Sequence, residues 1–209
     1  MDNVDKYRDI DTKAIDSVKN YIDSTCKIDI GCSIEGANIL EKNVEISHNT
    51  VLKNMIVRYG SKIDFSVAED SVVGSNCIIG PFARIRPNCS IGDNVKIGNF
   101  VEIKNSSIGS GTKISHLAYV GDATIGKNCN IGCGVIFANY NGREKNKIVI
   151  GDNCFIGSNC NLIAPLRIAD NTYICAGTTV TKDTKEYDFV IGRAREIVKT
   201  GRAREYLKE

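Results

Sequence analysis

The sequence contains no apolar run approaching 18 residues and no N-terminal apolar segment of the export type. These absences argue against a helical membrane span and a secretory leader, so a soluble, cytoplasmic protein is expected. Charge of one sign is lacking too. The 27 Lys and Arg nearly balance 25 Asp and Glu, leaving +2. No strong field then favours nucleic acid or a membrane as partner. The nine Cys are odd in number and include no CxxC pair. That argues against a disulfide framework in a reducing compartment. Histidine is scarce, with only His48 and His116. Two histidines far apart in register cannot supply a three-His zinc set, so no metal is expected.

What the sequence does have is a period of six. Ile79, Ile85, Ile91, Ile97 and Ile103 are followed by Ile108, Ile114 and Val120, then Ile125 and Ile131. The series resumes as Ile150, Ile156, Leu162, Ile168, Ile174 and Val180. A period of six is neither helical nor a simple strand alternation. It is the hexapeptide signature of a parallel β-helix, in which short strands coil and each turn buries its aliphatic residues against the next. Cys32, Cys77, Cys89, Cys129, Cys154 and Cys160 each fall four residues after an aliphatic position. That slot takes a small interior residue, and a reduced Cys behaves as a small hydrophobe.

The expected organisation has three parts. Residues 1–27 form an N-terminal helical segment, with Asp11 as cap and Ala14, Ile15, Val18 and Ile22 on one face. It either covers the open first coil or serves as a docking or oligomer helix. Residues 28–184 form the β-helix, with Lys53 to Ser66 read as irregular coil because the hexads lose their frame. Residues 185–209 form a basic tail carrying Arg193, Arg195, Lys199, Arg202 and Arg204, read as a solvated terminal helix or an anion contact. From Phe137 to Ile150 there are thirteen residues where two hexads give twelve. The polar stretch Asn139 to Lys147, with its Asn141-Gly142 turn signal, reads as an ejected loop, where binding residues of repeat proteins often sit.

Three hexads make one coil, so residues three hexads apart stack about 4.8 Å apart. Arg86 then lies over Lys104, a like-charged pair that calls for an anion or remains solvated. Tyr119 stacks on Glu102. His116 belongs to a column Asn99, His116, Cys133, Ser158 and Ala176, whose small lower members leave backbone open to a long ligand. Glu102 lies within about one coil of His116 and is expected to orient its ring. A hydrogen-bonded structural histidine is the alternative.

Five segments carry a resemblance. They are Gly80-Pro-Phe-Ala-Arg-Ile-Arg-Pro87, Gly98-Asn-Phe-Val-Glu-Ile-Lys104, His116-Leu-Ala-Tyr-Val-Gly-Asp122, Asn139-Tyr-Asn-Gly142 and Ala176-Gly-Thr-Thr-Val-Thr181. In order and spacing they resemble the acetyltransferase half of the bifunctional N-acetylglucosamine-1-phosphate uridyltransferase/glucosamine-1-phosphate acetyltransferases, a hexapeptide-repeat acyltransferase family. The resemblance covers about residues 70 to 195. It implies an all-β, left-handed parallel β-helix and a homotrimer with sites between subunits. It also implies acetyl transfer from acetyl-CoA to glucosamine 1-phosphate, on the route to UDP-N-acetylglucosamine and cell-envelope precursors.

By the same resemblance His116 is the general base and Glu102 its partner. Arg86, Lys104, Tyr119, Asn130, Asn139, Tyr140 and Lys145 bind the sugar phosphate. Cys133, Ser158, Ala176 and Arg193 contact acetyl-CoA. Cys133 stands where Ala is expected; its backbone N–H still suits an oxyanion, and an acetyl-Cys133 intermediate is the other route. The family's N-terminal nucleotidyltransferase segment has no counterpart here, so uridylyl transfer is not expected. The alternatives are another acceptor, such as galactosamine 1-phosphate or a nucleotide-linked amino sugar, and a non-catalytic trimeric scaffold.

Overall fold

The chain's interior is a stack of aliphatic side chains, one per strand and three strands per coil. In the computed structural model, which describes residues 20–207, Ile79, Ile97 and Ile114 pair in parallel register along one face and are wholly buried. Ile85, Ile103 and Val120 do the same on a second face, and Ile91, Ile108 and Ile125 on the third. Their flanking residues, such as Lys96 and Lys113, point outward. One face stacks ten strands, from Lys27–Ile28 to Phe189–Val190, so the solenoid has about ten turns. This is the all-β parallel β-helix expected from the hexads, consistent with the left-handed form. Among the described residues no helix is long and apolar enough to cross a membrane.

The corners explain why strands of two to four residues suffice. Asn76, Asn94, Asn128, Asn153 and Asn171 turn one corner, each with φ between 54° and 57°. Asn enters this left-handed region more readily than most residues. A second corner places Phe65, Phe82, Phe100 and Leu117 in the same region, where a bulky side chain costs about 1–2 kcal/mol. The Phe82 and Phe100 rings stack, centroids 5.7 Å apart, offsetting part of that cost. Cys77, Cys89, Cys129, Cys154 and Cys160 are buried, and Cys32 packs on the core, as the four-residue offset implies. The Cys154 thiol beside it, with burial, pushes the Cys129 thiol's pKa up. These cysteines pack as small interior groups.

Four expectations change. Ile22 lies in the strand Tyr21–Ile22, paired with Ile39–Leu40, so the solenoid already includes residues assigned to a helical segment ending at 27. Asp11, Ala14, Ile15 and Val18 lie outside the described residues. Lys53 to Ser66 is regular: Val51–Val57 is a seven-residue strand rounding a corner, followed by Lys62–Ile63. The frame fails there because coils are short, as Leu52 pairs with Ala68 and Ile63 with Ile79. Phe189–Val190 extends the stack past residue 184, and among the described residues the tail's helical content is the 3-10 turn Arg202–Glu205. Finally, Phe137 and Ile150 are one face apart, not two. The span between them is therefore one hexad plus seven extra residues, which the excursion accommodates.

Among the described residues Phe137 is the largest wholly buried side chain. Phe137→Ala should cost about 3–5 kcal/mol in urea unfolding. A loss below about 1 kcal/mol would mean the coils close over the cavity.

Candidate functional site

His116 ends the strand Lys113–His116, immediately before the corner residue Leu117. It is exposed, and its Cα partner is Asn99. The imidazole Nδ1 lies 3.0 Å from Asn99 Oδ1. An amide oxygen only accepts, so in the neutral ring this bond places the proton on Nδ1 and leaves Nε2 as the lone pair. The expected partner, Glu102, is engaged elsewhere: Arg86 Nη1 donates to its Oε1 at 2.9 Å. The register already placed Asn99 above His116, but only the side-chain bond shows that the amide, rather than a carboxylate, is the ring's partner.

Below His116 the column runs as expected. Ile114 pairs with Ile131, Ile131 with Ile156 and Ile156 with Ile174, which stacks His116, Cys133, Ser158 and Ala176. Arg193 closes the column, its Nη1 donating to Ala176 O at 2.9 Å. Main-chain bonds run from Gly132 N to Ile156 O and from Gly134 N to Leu117 O, on either side of Cys133. Gly157 N and Gly177 N likewise flank Ser158 and Ala176, donating to Ile174 O and Ser158 O. The N–H groups of Cys133, Ser158 and Ala176 are thus not spent in that ladder. Close packing keeps the edge narrow: a Cβ on Gly132 would meet Ser158 N at 2.6 Å.

The charged residues gather at the far end of the strand Glu102–Lys104. An open cleft of about 420 Å³, within the range of small-molecule pockets, is lined by Arg86, Lys104, Asn105, Asp122 and Lys145. Arg86 follows Ile85 and Lys104 follows Ile103, which are Cα partners, so the expected stack stands. Tyr119 pairs with Glu102 and Gly121 with Lys104. A Cβ on Gly121 would run into the Tyr119 hydroxyl and push that side chain aside.

The excursion Asn139 to Lys147 is a small hairpin. Tyr140 bridges Lys145, Asn146 N donates to Asn139 O at 2.7 Å, and the Asn141 side chain caps Arg143 and Glu144 N–H groups. It carries Lys145 to Lys104, while Tyr140 remains exposed. Asp122, which the sequence did not single out, is buried and accepts from the Asn105 and Asn139 amides. Its own burial opposes ionisation, but the two amides and the ammonium groups of Lys104 and Lys145 prevail and lower its pKa. Asn130 is not brought to this cleft. It lies on another face, between Lys113 and Phe155.

Comparison with known proteins adds the following. Residues 70–105 and 147–182 match the family described as bacterial transferase hexapeptide (six repeats). The chain is 42% identical over 189 residues to the Bifunctional protein GlmU of Clostridium novyi (strain NT), covering 88% of this chain and 41% of that one. It is 46% identical over 188 residues to the Bifunctional protein GlmU of Clostridium beijerinckii, covering 87% and 41%. The chain thus spans about two fifths of the length of these curated relatives. The solved structure of LpxA, a UDP-N-acetylglucosamine acyltransferase from Bacteroides fragilis, superposes with a TM-score of 0.52 at 22% identity, covering 80% and 69%. At that identity the likeness shows the fold alone.

The Lys104 ammonium beside it, with slight desolvation, lowers the pKa of Lys145, against the opposing pull of Asp122 and Tyr119. A phosphate dianion in the cleft should raise that pKa back toward its ordinary value. Binding of inorganic phosphate should then take up protons just below the ordinary lysine value of 10.5. Calorimetry in two buffers of different ionisation enthalpy reads this uptake. Equal uptake in Lys145→Met would assign it to another group.

Proposed function

This chain belongs to the bacterial hexapeptide-repeat transferases, and from that premise we propose that it acetylates the amine of glucosamine 1-phosphate with acetyl-CoA. One observation carries the reading. A histidine with a bare Nε2 heads an edge of unspent N–H groups, and a cationic cleft lies at the far end of the strand that begins past the same corner. Glu102–Lys104 spans about 10 Å at ~3.3 Å per residue, leaving room for a sugar ring between base and phosphate groups. Similarity to GlmU proteins over nearly nine-tenths of the chain supports the acetyl donor and the sugar acceptor.

In the proposed mechanism acetyl-CoA lies along Cys133, Ser158 and Ala176, its amides and carbonyls meeting the column's backbone, with Arg193 at the lower end. Lys104, Lys145 and Arg86 hold the phosphate. Tyr119, Asn139 and Tyr140 flank the sugar. His116 Nε2 takes a proton from the amine as its nitrogen attacks the thioester carbonyl. The C–N bond forms, the Cys133 N–H stabilises the oxyanion, and the C–S bond breaks to release CoA thiolate. Asn99 keeps the base in its productive tautomer, and Glu102 orients Arg86. Direct transfer needs nothing from the Cys133 side chain. Asn130, on another face, joins the site only through a second copy, as in a homotrimer with sites between subunits.

Thiol release from acetyl-CoA should depend on glucosamine 1-phosphate. Equal or faster release with galactosamine 1-phosphate or a nucleotide-linked glucosamine would reassign the acceptor. No acetyl-CoA binding by calorimetry would leave a scaffold. His116→Ala should lower kcat by a factor of about 10² to 10⁴ without changing the circular dichroism. Full turnover in that variant would remove His116 as the base.

A further inference from the structure

Asp122 occupies a corner that Asn54, Asp70, Asn88 and Asn105 fill in earlier coils. Asp70 too accepts an amide, from Asn54, but of these residues only Asp122 has a second amide, that of Asn139, on its other oxygen. Asn88 and Asn105 hold the same slot in the two preceding coils, with φ of 65° and 46°, against 52° at Asp122. Its main chain already ties the excursion down, for Asp122 N donates to Lys104 O and Ile148 N donates to Asp122 O. An Asn here would make both bonds in the same conformation. What Asp adds is a charge and a second acceptor oxygen.

A nearly buried carboxylate is costly unless it is fully bonded. Here each oxygen accepts one side-chain amide, Oδ1 from Asn105 and Oδ2 from Asn139. Asn105 belongs to the coil of Lys104, and Asn139 opens the excursion that carries Lys145. We propose that Asp122 is the positioning residue of the cationic cleft: its carboxylate, clamped between these two amides, sets Lys145 beside Lys104 before a phosphate group arrives. The proposal rests on the reading of the cleft as a phosphate site.

The simplest electrostatic view gives the opposite sign. Arg86 is paired with Glu102, so Asp122 offsets Lys104 and Lys145. Asp122→Asn removes a negative charge from an anion site, and charge alone makes phosphate bind more tightly. Positioning makes it bind more weakly. An Asn side chain presents an NH₂ to one of two amide donors, breaking one arm of the clamp.

The test is binding of inorganic phosphate to the full chain by calorimetry, with circular dichroism and thermal melting as controls for folding. Asp122→Asn should weaken phosphate by at least about tenfold. Asn105→Ala, which removes one arm and leaves the charge, should weaken it by a smaller factor. In turnover, Asp122→Asn should raise KM for the phosphorylated acceptor with kcat little changed, a split that general loosening would not give. Equal or tighter phosphate binding by folded Asp122→Asn overturns the proposal. If that variant does not fold, unchanged affinity in Asn105→Ala overturns it. Absence of phosphate binding by the unaltered chain removes the phosphate reading itself, and Asp122's role with it.

Discussion

The parallel ladder between successive coils is the constraint from which everything else in this molecule follows. Each strand donates to the coil beyond it, so a residue's neighbour along the axis is fixed by the number of residues in one turn. Buried aliphatic residues enforce that number, because a slip of one residue would expose Ile97 or Ile103 and bury Lys96 or Glu102. Coils nevertheless differ in length. Ile85 pairs with Ile103, whereas Ile91 pairs with Ile108 one residue sooner. The difference is absorbed at corners, where left-handed residues turn the chain, and the faces remain in step.

Chemistry gathers at those corners. A face offers side chains in straight columns, whose like neighbours repel or merely stack. A corner breaks the column and brings together groups from two faces. His116 stands where one face ends, beside a hydrophobic corner of stacked Phe side chains. Lys104 and Asp122 meet at the next corner, and the excursion leaves and returns there. The charges alternate in space: Arg86 with Glu102, then Lys104 and Lys145 around Asp122. That alternation keeps a cationic cleft from repelling itself apart.

Much of this was legible in the sequence because a solenoid turns sequence distance into spatial distance. The hexads placed Arg86 over Lys104, Tyr119 on Glu102, and His116 above Cys133, Ser158 and Ala176, and the strand register agrees. Side-chain reach was not legible. Register puts Glu102 and Asn99 both near His116, and it is the length of Arg86 that takes Glu102 away. Counting in sixes was also ambiguous. Thirteen residues from Phe137 to Ile150 read as two hexads plus one residue or as one hexad plus seven, and only the pairing of Ile125 with Ile150 decides. Five-residue spacings from Leu52 to Val73 hid a regular coil. Asp122 escaped notice because it fills a slot that asparagine fills equally well elsewhere.

The excursion at Asn139 to Lys147 leaves and rejoins the prism at one corner, and the coils on either side remain in register. It is therefore an appendage whose length and composition the axis does not sense. A solenoid resists change almost everywhere, since each rung is judged by the rungs above and below. Past the buried Asn139, which is tied to Asp122, the chain has a place to vary. Relatives could exchange this segment and alter what the cleft holds while the edge below His116 stayed as it was. One end of the proposed reaction would be inherited with the scaffold, and the other could be rewritten in fewer than ten residues.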